Sequence, residues 1–159
     1  MALNVRRVVT GHDSEGRAIV EIDEQVTNVV SSRPLVEASV IWTSEGFPVN
    51  NDGIEERNDR AAGTTLAGGT VFRILRLEPG HSPRMHRTDS LDYAIIMSGE
   101  VDMELEEGEF IHLKAGDVLV QRGTIHNWLN RGTEPCMIAF VLIDAKSVEA
   151  GGKVLEAHG

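Results

Sequence analysis

The chain of 159 residues reads as an all-β protein, a sandwich or barrel. Two observations predict this. Its apolar residues come in short runs rich in Val, Ile, Leu and Phe, many alternating with polar residues, which is the period of a half-buried strand. These runs are separated by turn-forming segments such as "PGHSP", "SGE", "KAGD" and "RGTEP", and no long amphipathic helical pattern interrupts them.

The elements follow in chain order. "RRVVT" and "RAIVEI" flank "GHDSEG", a Gly/Asp/Ser turn, and form a candidate hairpin with His12 in its exposed turn. "QVTNVV" reads as a further strand, and "VEASVIWTS", rich in β-branched residues, as a stronger one. Residues 45–69, "EGFPVNNDGIEERNDRAAGTTLAGG", are polar with no clear period. A stretch this long suits a lid, an arm or a disordered loop, with a short helix weakly suggested over residues 54–62. Seven more strands then follow closely: "TVFRILRLE", "DYAIIMSG", "EVDMELE", "EFIHLKA", "DVLVQRG", "HNWLNRG" and "CMIAFVLI". The tail "AKSVEAGGKVLEAHG" reads as a short helix or a frayed end.

Bulk properties narrow the function. The formal net charge is −10, which argues against a nucleic-acid partner. Much of the acidity lies in "GEVDMELEEGE", read as a solvated hairpin. The N-terminal residues lack the apolar core of a secretory signal, and no apolar run reaches the ~18 residues of a membrane helix. Cys136 is the only cysteine, so no intrachain disulfide forms; it sits in an apolar run and is expected to be an inert buried thiol. A cytoplasmic location fits these features.

Two segments carry chemistry. In the first, Gly80 is followed after five residues by His86, then by Thr88, Asp92 and Gly99. In the second, Gly116 leads to Gln121, Gly123, His126 and Asn130. Strand alternation groups Asp92 with Ala94 and Ile96, opposite Tyr93, Ile95 and Met97. It likewise groups His126, Trp128 and Asn130, opposite Asn127 and Leu129. A carboxylate and an imidazole on inward faces are costly unless paired or bound to a metal.

The stretch from Gly80 to Asn130 resembles the two motifs of the cupin superfamily, G-x5-H-x-H-x3or4-E-x6-G and G-x5-P-x-G-x2-H-x3-N. Spacing is kept throughout the first motif; in the second, Gln121 replaces the proline with one residue fewer before it. The resemblance implies a single cupin-type double-stranded β-helix (jelly-roll) barrel with extra N-terminal strands. Residues 31–143 would be the barrel, with motifs at 80–99 and 116–130. Residues 1–30 would supply N-terminal strands suited to a dimer arm, and 144–159 a C-terminal tail.

Metal-binding cupins usually hold their ion with three histidines and a glutamate. By position, His86, Asp92 and His126 carry over as ligands of one divalent metal (Fe, Zn, Mn or Ni), while Thr88 replaces the second histidine and Asp92 the glutamate. Two histidines and one carboxylate suffice for such an ion and leave a position open for substrate. His81 is a weaker substitute for the missing histidine, and His112 is expected at the surface. Thr88, Gln121, Trp128, Trp42 and Asn130 are the candidate pocket residues, with Trp42 closing the mouth. Arg73, Arg76, Arg84 and Arg87 are expected to neutralise nearby acidic loops; of Arg73 and Arg76, at most one faces inward, where it would suit a substrate carboxylate.

The implied function is a metal-dependent enzyme acting on a small organic acid or carbonyl compound, of lyase, decarboxylase, isomerase or dioxygenase type. The alternatives are a metal-free cupin using Asp92 or His126 as acid or base, and a non-catalytic small-ligand-binding cupin. The expected partners are a small-molecule substrate and a second copy in a homodimer, with no nucleic acid and no membrane.

Overall fold

The structure, a computed structural model, describes residues 2–52 and 63–159. The suggested helix over 54–62 lies outside the described residues. In chain order the strands are β1 (Arg6–His12), β2 (Ala18–Gln25), β3 (Val29–Arg33), β4 (Val36–Glu45), β5 (Gly69–Leu77), β6 (Ser90–Ser98), β7 (Glu100–Glu104), β8 (Phe110–Lys114), β9 (Val118–Arg122), β10 (Asn127–Leu129), β11 (Cys136–Asp144), β12 (Val148–Ala150) and β13 (Lys153–Leu155). A single 3-10 turn, Glu106–Gly108, is the only helical element among the described residues.

All seven strands read in the second half are present. "QVTNVV" is not one strand: Gln25 ends β2 and Val29 begins β3, so the run is a joint between two strands. The tail is neither helix nor frayed end. Gly151 (φ 59°) and Gly152 (φ 74°) both adopt the left-handed conformation that a two-residue hairpin turn requires, so β12 and β13 pair. The "GG" pair that weakens a helix is what makes this hairpin.

Two sheets face each other. One has six strands in the order β3-β4-β5-β11-β6-β9, and the other has three, β10-β7-β8. Alternation dictates what lies between them. On β6, Asp92, Ala94 and Ile96 are buried, while Tyr93, Ile95 and Met97 are exposed. The inner residues of β5, β6 and β11 meet Val101 and Met103 of β7, Leu113 of β8 and Trp128 of β10 in one apolar core. Gly99 joins β6 to β7 at φ 73°, and a Cβ there would stand 2.4 Å from the Pro135 carbonyl oxygen. That close approach requires the motif's last glycine.

The outer face of the six-stranded sheet is only half covered. Leu3 and Val26 pack with Ile41 and Ile74 in a second small core. Towards β6 and β9 the same face carries Tyr93, Ile95, Met97, Val118 and Val120, all between 45% and 71% exposed. Among the described residues the β1–β2 hairpin pairs with no further strand, and it is exposed over most of its length.

A candidate active site between the two sheets

The pocket opens between the sheets. Its lining includes Arg33, Arg73, Arg84, His86, Thr88, Asp92, His126, Asn127, Trp128 and Phe140, and it encloses about 560 Å³ of atom-free space, mouth included.

His86 and His126 are set opposite each other by the backbone. The His86 N–H donates to the His126 carbonyl at 2.9 Å, and the His126 N–H donates to the His86 carbonyl at 2.9 Å. This reciprocal bridge fastens the two motif loops together and brings the imidazoles to a centroid separation of 4.3 Å. Each Nδ1 lies 2.9 Å from a backbone carbonyl oxygen, that of Arg84 for His86 and that of Thr124 for His126. A carbonyl oxygen only accepts, so each Nδ1 carries the proton and each Nε2 keeps a free lone pair. Burial keeps both rings neutral. It pulls His126 down to about 4; the Thr124 carbonyl opposes, while repulsion from Arg84, and from His86 whenever that ring is protonated, acts in the same direction. His86 is lowered as well, first by burial and then by the arginines around it.

Asp92 faces the same pocket from β6. Its Oδ1 accepts a hydrogen bond from the Ser90 hydroxyl at 2.6 Å, and Ser90 Oγ lies 2.8 Å from Thr88 Oγ1. Burial raises the Asp92 carboxyl above its usual range, while Ser90 and the Arg73 charge pull it back. Gln121 is the cross-strand partner of Asp92 and is itself buried; its Nε2 bonds Thr124, and its Oε1 has no hydrogen-bond partner among the described residues.

The imidazole pair fits the nitrogen half of a metal site, because neutral rings held through Nδ1 present Nε2 as a ligand. Among the described residues, no three His, Cys, Asp or Glu side chains converge as a ligand set. Asp92 therefore shares the pocket with the pair without completing a three-ligand cluster.

Several expectations need correction. Trp42 does not close the pocket. A bulge after Val40 turns it to the outer face of the sheet, opposite Phe72, with the Arg7 guanidinium 5.9 Å from its ring centre. Asn130 is outside the pocket lining as well: its amide holds a loop together by donating to the Leu77 and Glu134 carbonyls and accepting from the Gly132 N–H. Asn127, placed by alternation on the opposite face, lines the pocket, because His126 lies in the bridge before β10 begins. Gln121 is buried beside Asp92 but is not part of the lining. Trp128 stands at the wall, edge-on to Phe140 with ring centres 5.6 Å apart. His81 stays out of the lining, its Nε2 accepting from the Asn130 N–H, and His112 is at the surface between Asp102 and Glu100. Of the arginines, Arg76 pairs with Glu37 and Glu78 on the outer face, whereas Arg73 and Arg84 line the pocket. The sequence reading missed Arg33, Ser90 and Phe140. Only Ser90 left a signal, two residues before Asp92 on the same strand face.

The Cupin domain family profile matches residues 73–143. A phomopsin biosynthesis cluster protein of Diaporthe leptostromiformis is 35% identical over 94% of this chain and 83% of its own length. A cupin-domain-containing oxidoreductase of Aspergillus ruber is 33% identical over 97% of this chain and 79% of its own length. The chain belongs to the cupin family. Another such oxidoreductase, from Hypocrea virens, is 30% identical over 89% of this chain and 77% of its own length. Among solved structures, an ethanolamine utilization protein of Salmonella typhimurium aligns with 91% of this cupin and 100% of its own chain, at 13% identity and a TM-score of 0.49.

The neutral histidines make stability depend on pH. Unfolded, His126 binds a proton near its ordinary value of 6.5; folded, it stays neutral down to about 4. Between those values the unfolded chain holds more protons, so stability is lost as pH falls through this window, by about 3 kcal/mol from His126 alone. Asp92, raised by burial, acts in the opposite sense. Urea unfolding of chelator-treated protein should show this loss, and His126→Gln should flatten it; an unchanged slope in the variant would remove His126 as its source.

Proposed function

We propose that this cupin is an enzyme of the oxidoreductase class acting on a small organic acid or carbonyl compound, with one divalent metal held by His86 and His126. The observation that carries this reading is the bridged imidazole pair, with both Nδ1 atoms engaged and both Nε2 atoms free. The names of the Aspergillus ruber and Hypocrea virens relatives support the redox class. A redox-active metal, when bound, supplies one-electron chemistry that no side chain of this pocket provides. Fe and Mn suit that role, whereas Zn would direct the same pocket towards lyase or isomerase chemistry.

The chain's own residues do the rest. The bridge fixes the backbones of His86 and His126, and each ring is oriented by its Nδ1 contact to the Arg84 or Thr124 carbonyl. Trp128 and Phe140 wall off one side and exclude water. Asp92 is the carboxylate best placed to complete the ligand set or to exchange a proton with bound substrate, oriented for either role by Ser90. The metal-free reading draws on the same contact, since the Thr88–Ser90–Asp92 chain would orient Asp92 as an acid or base without any ion.

Elemental analysis of untagged protein separates the two. The metal reading predicts near-stoichiometric Fe, Mn, Zn or Ni in the wild type and at least a tenfold loss in both His86→Ala and His126→Ala, since losing a ligand costs no less than the about 10–100-fold typical of losing a group that orients one. Metal-free wild-type protein, even after reconstitution, would contradict it and leave the acid–base reading.

We further infer that a second copy of this chain covers the bare half of the outer sheet face. The outward residues there, including Tyr93, Ile95, Met97, Val118 and Val120, form an acid-free apolar patch in a chain with 25 acidic residues. The same face launches the β1–β2 hairpin, which exposes Val8, Ile19 and Val20 and has no third strand among the described residues. An isolated hairpin is marginal in water, so one chain offers both an arm that needs cover and a patch that needs covering. Sedimentation should give twice 17.4 kDa for the wild type, and a folded monomer for Val120→Asp. A monomeric wild type, or a Val120→Asp protein that stays dimeric, would contradict this assembly.

A further inference from the structure

Three guanidinium groups converge on the pocket. Arg73 enters from the inner face of β5, Arg33 from the end of β3, and Arg84 from the loop before His86. Asp92 is the one carboxylate among the described residues of the lining. The chain as a whole has the opposite balance, with 25 acidic and 15 basic residues, so this concentration of positive charge runs against the composition.

Arg33 and Arg84 are anchored at their tips. Arg33 Nη1 donates to the Ser82 carbonyl at 3.0 Å, and Arg84 Nη2 donates to the Gly159 carbonyl. The Arg73 guanidinium makes no hydrogen bond or ion pair among the described residues. It lies between Val71 and Leu75 on the strand face that forms the main core. Burial and the neighbouring charges of Arg84 and Arg33 depress its proton affinity, with Asp92 opposing. Like charges gathered in a partly dry pocket are costly unless an anion joins them. The remaining wall next to them is apolar and aromatic, including Leu142, Phe140 and Trp128.

We propose that Arg73, flanked by Arg33 and Arg84, is the carboxylate subsite of this pocket, and that the substrate is a small carboxylic acid with an apolar or planar body. The carboxylate takes the two parallel N–H donors of Arg73, and the body lies against Trp128 and Phe140. The acid's reacting end is thereby turned towards the His86–His126 pair. This deepens the proposed function, since it rests on the pocket being the active site, but it does not depend on the metal.

The test is a calorimetric titration of the full chain, treated with chelator, using benzoate and its neutral isostere benzamide. Benzoate should saturate below about 10 mM and bind at least about tenfold tighter than benzamide. Arg73→Gln should erase that preference while leaving benzamide binding unchanged, and Arg17→Gln, in an exposed turn far along the chain, should behave as wild type. Should Arg73→Gln fail to fold, Arg84→Gln, at an exposed loop position, should lower the preference at least about threefold. Equal binding of benzoate and benzamide, no saturation below about 10 mM, or a preference that survives the arginine variants would overturn the proposal. Both histidines are intact and no metal is present, so failure here is distinct from failure of the metal reading.

Discussion

The site depends on one pair of backbone hydrogen bonds. His86 and His126 lie 40 positions apart in the chain, in two irregular loops, and each donates its N–H to the other's carbonyl. Loops alone would leave two imidazoles free to wander. The reciprocal bridge removes that freedom and sets the rings side by side. Each Nδ1 in turn meets a carbonyl of its own loop, two residues back in both cases. The side chains are fixed by local contacts once the backbones are paired. A second strand-like bridge, between Arg87 and His158, lays the C-terminal segment beside the first loop.

The two sheets give this bridge its setting. Their inner faces are packed with aliphatic side chains over most of their area, and polarity is admitted only at one end. Asp92 is two residues from Ala94 and four from Ile96 on the same inward face, so one strand runs from site to core without a break in parity. The cost of burying a carboxylate there is met locally by Ser90 and electrostatically by Arg73. Neutral histidines, a carboxyl shifted upward and an arginine shifted downward are three outcomes of one cause, the exclusion of water between the sheets.

Much of this was legible in the sequence. The strands of the second half and the inward face of β6 follow from period, because tertiary contacts there agree with the local pattern, and the pairing of the two histidine segments was implied by the resemblance to the cupin motifs. What was not legible depended on breaks in that pattern. A bulge in β4 sends Trp42 to the wrong face for the pocket, and no residue type marks it. His126 precedes its strand rather than belonging to it, so parity mistakes the side of Asn127. Arg33 reaches the pocket from a distant edge strand, which no local rule reveals. The tail hairpin was hidden because Gly151-Gly152 suits a frayed end as readily as a turn.

The most direct test of the account is the protonation of the two rings. Nitrogen-detected NMR of the imidazoles in chelator-treated protein near neutral pH reports which ring nitrogen carries hydrogen. The bridge and its carbonyl contacts predict that His86 and His126 are both neutral, with hydrogen on Nδ1 and a bare Nε2. Hydrogen on Nε2 of either ring, or a charged imidazolium at that pH, would contradict the geometry on which the site is built.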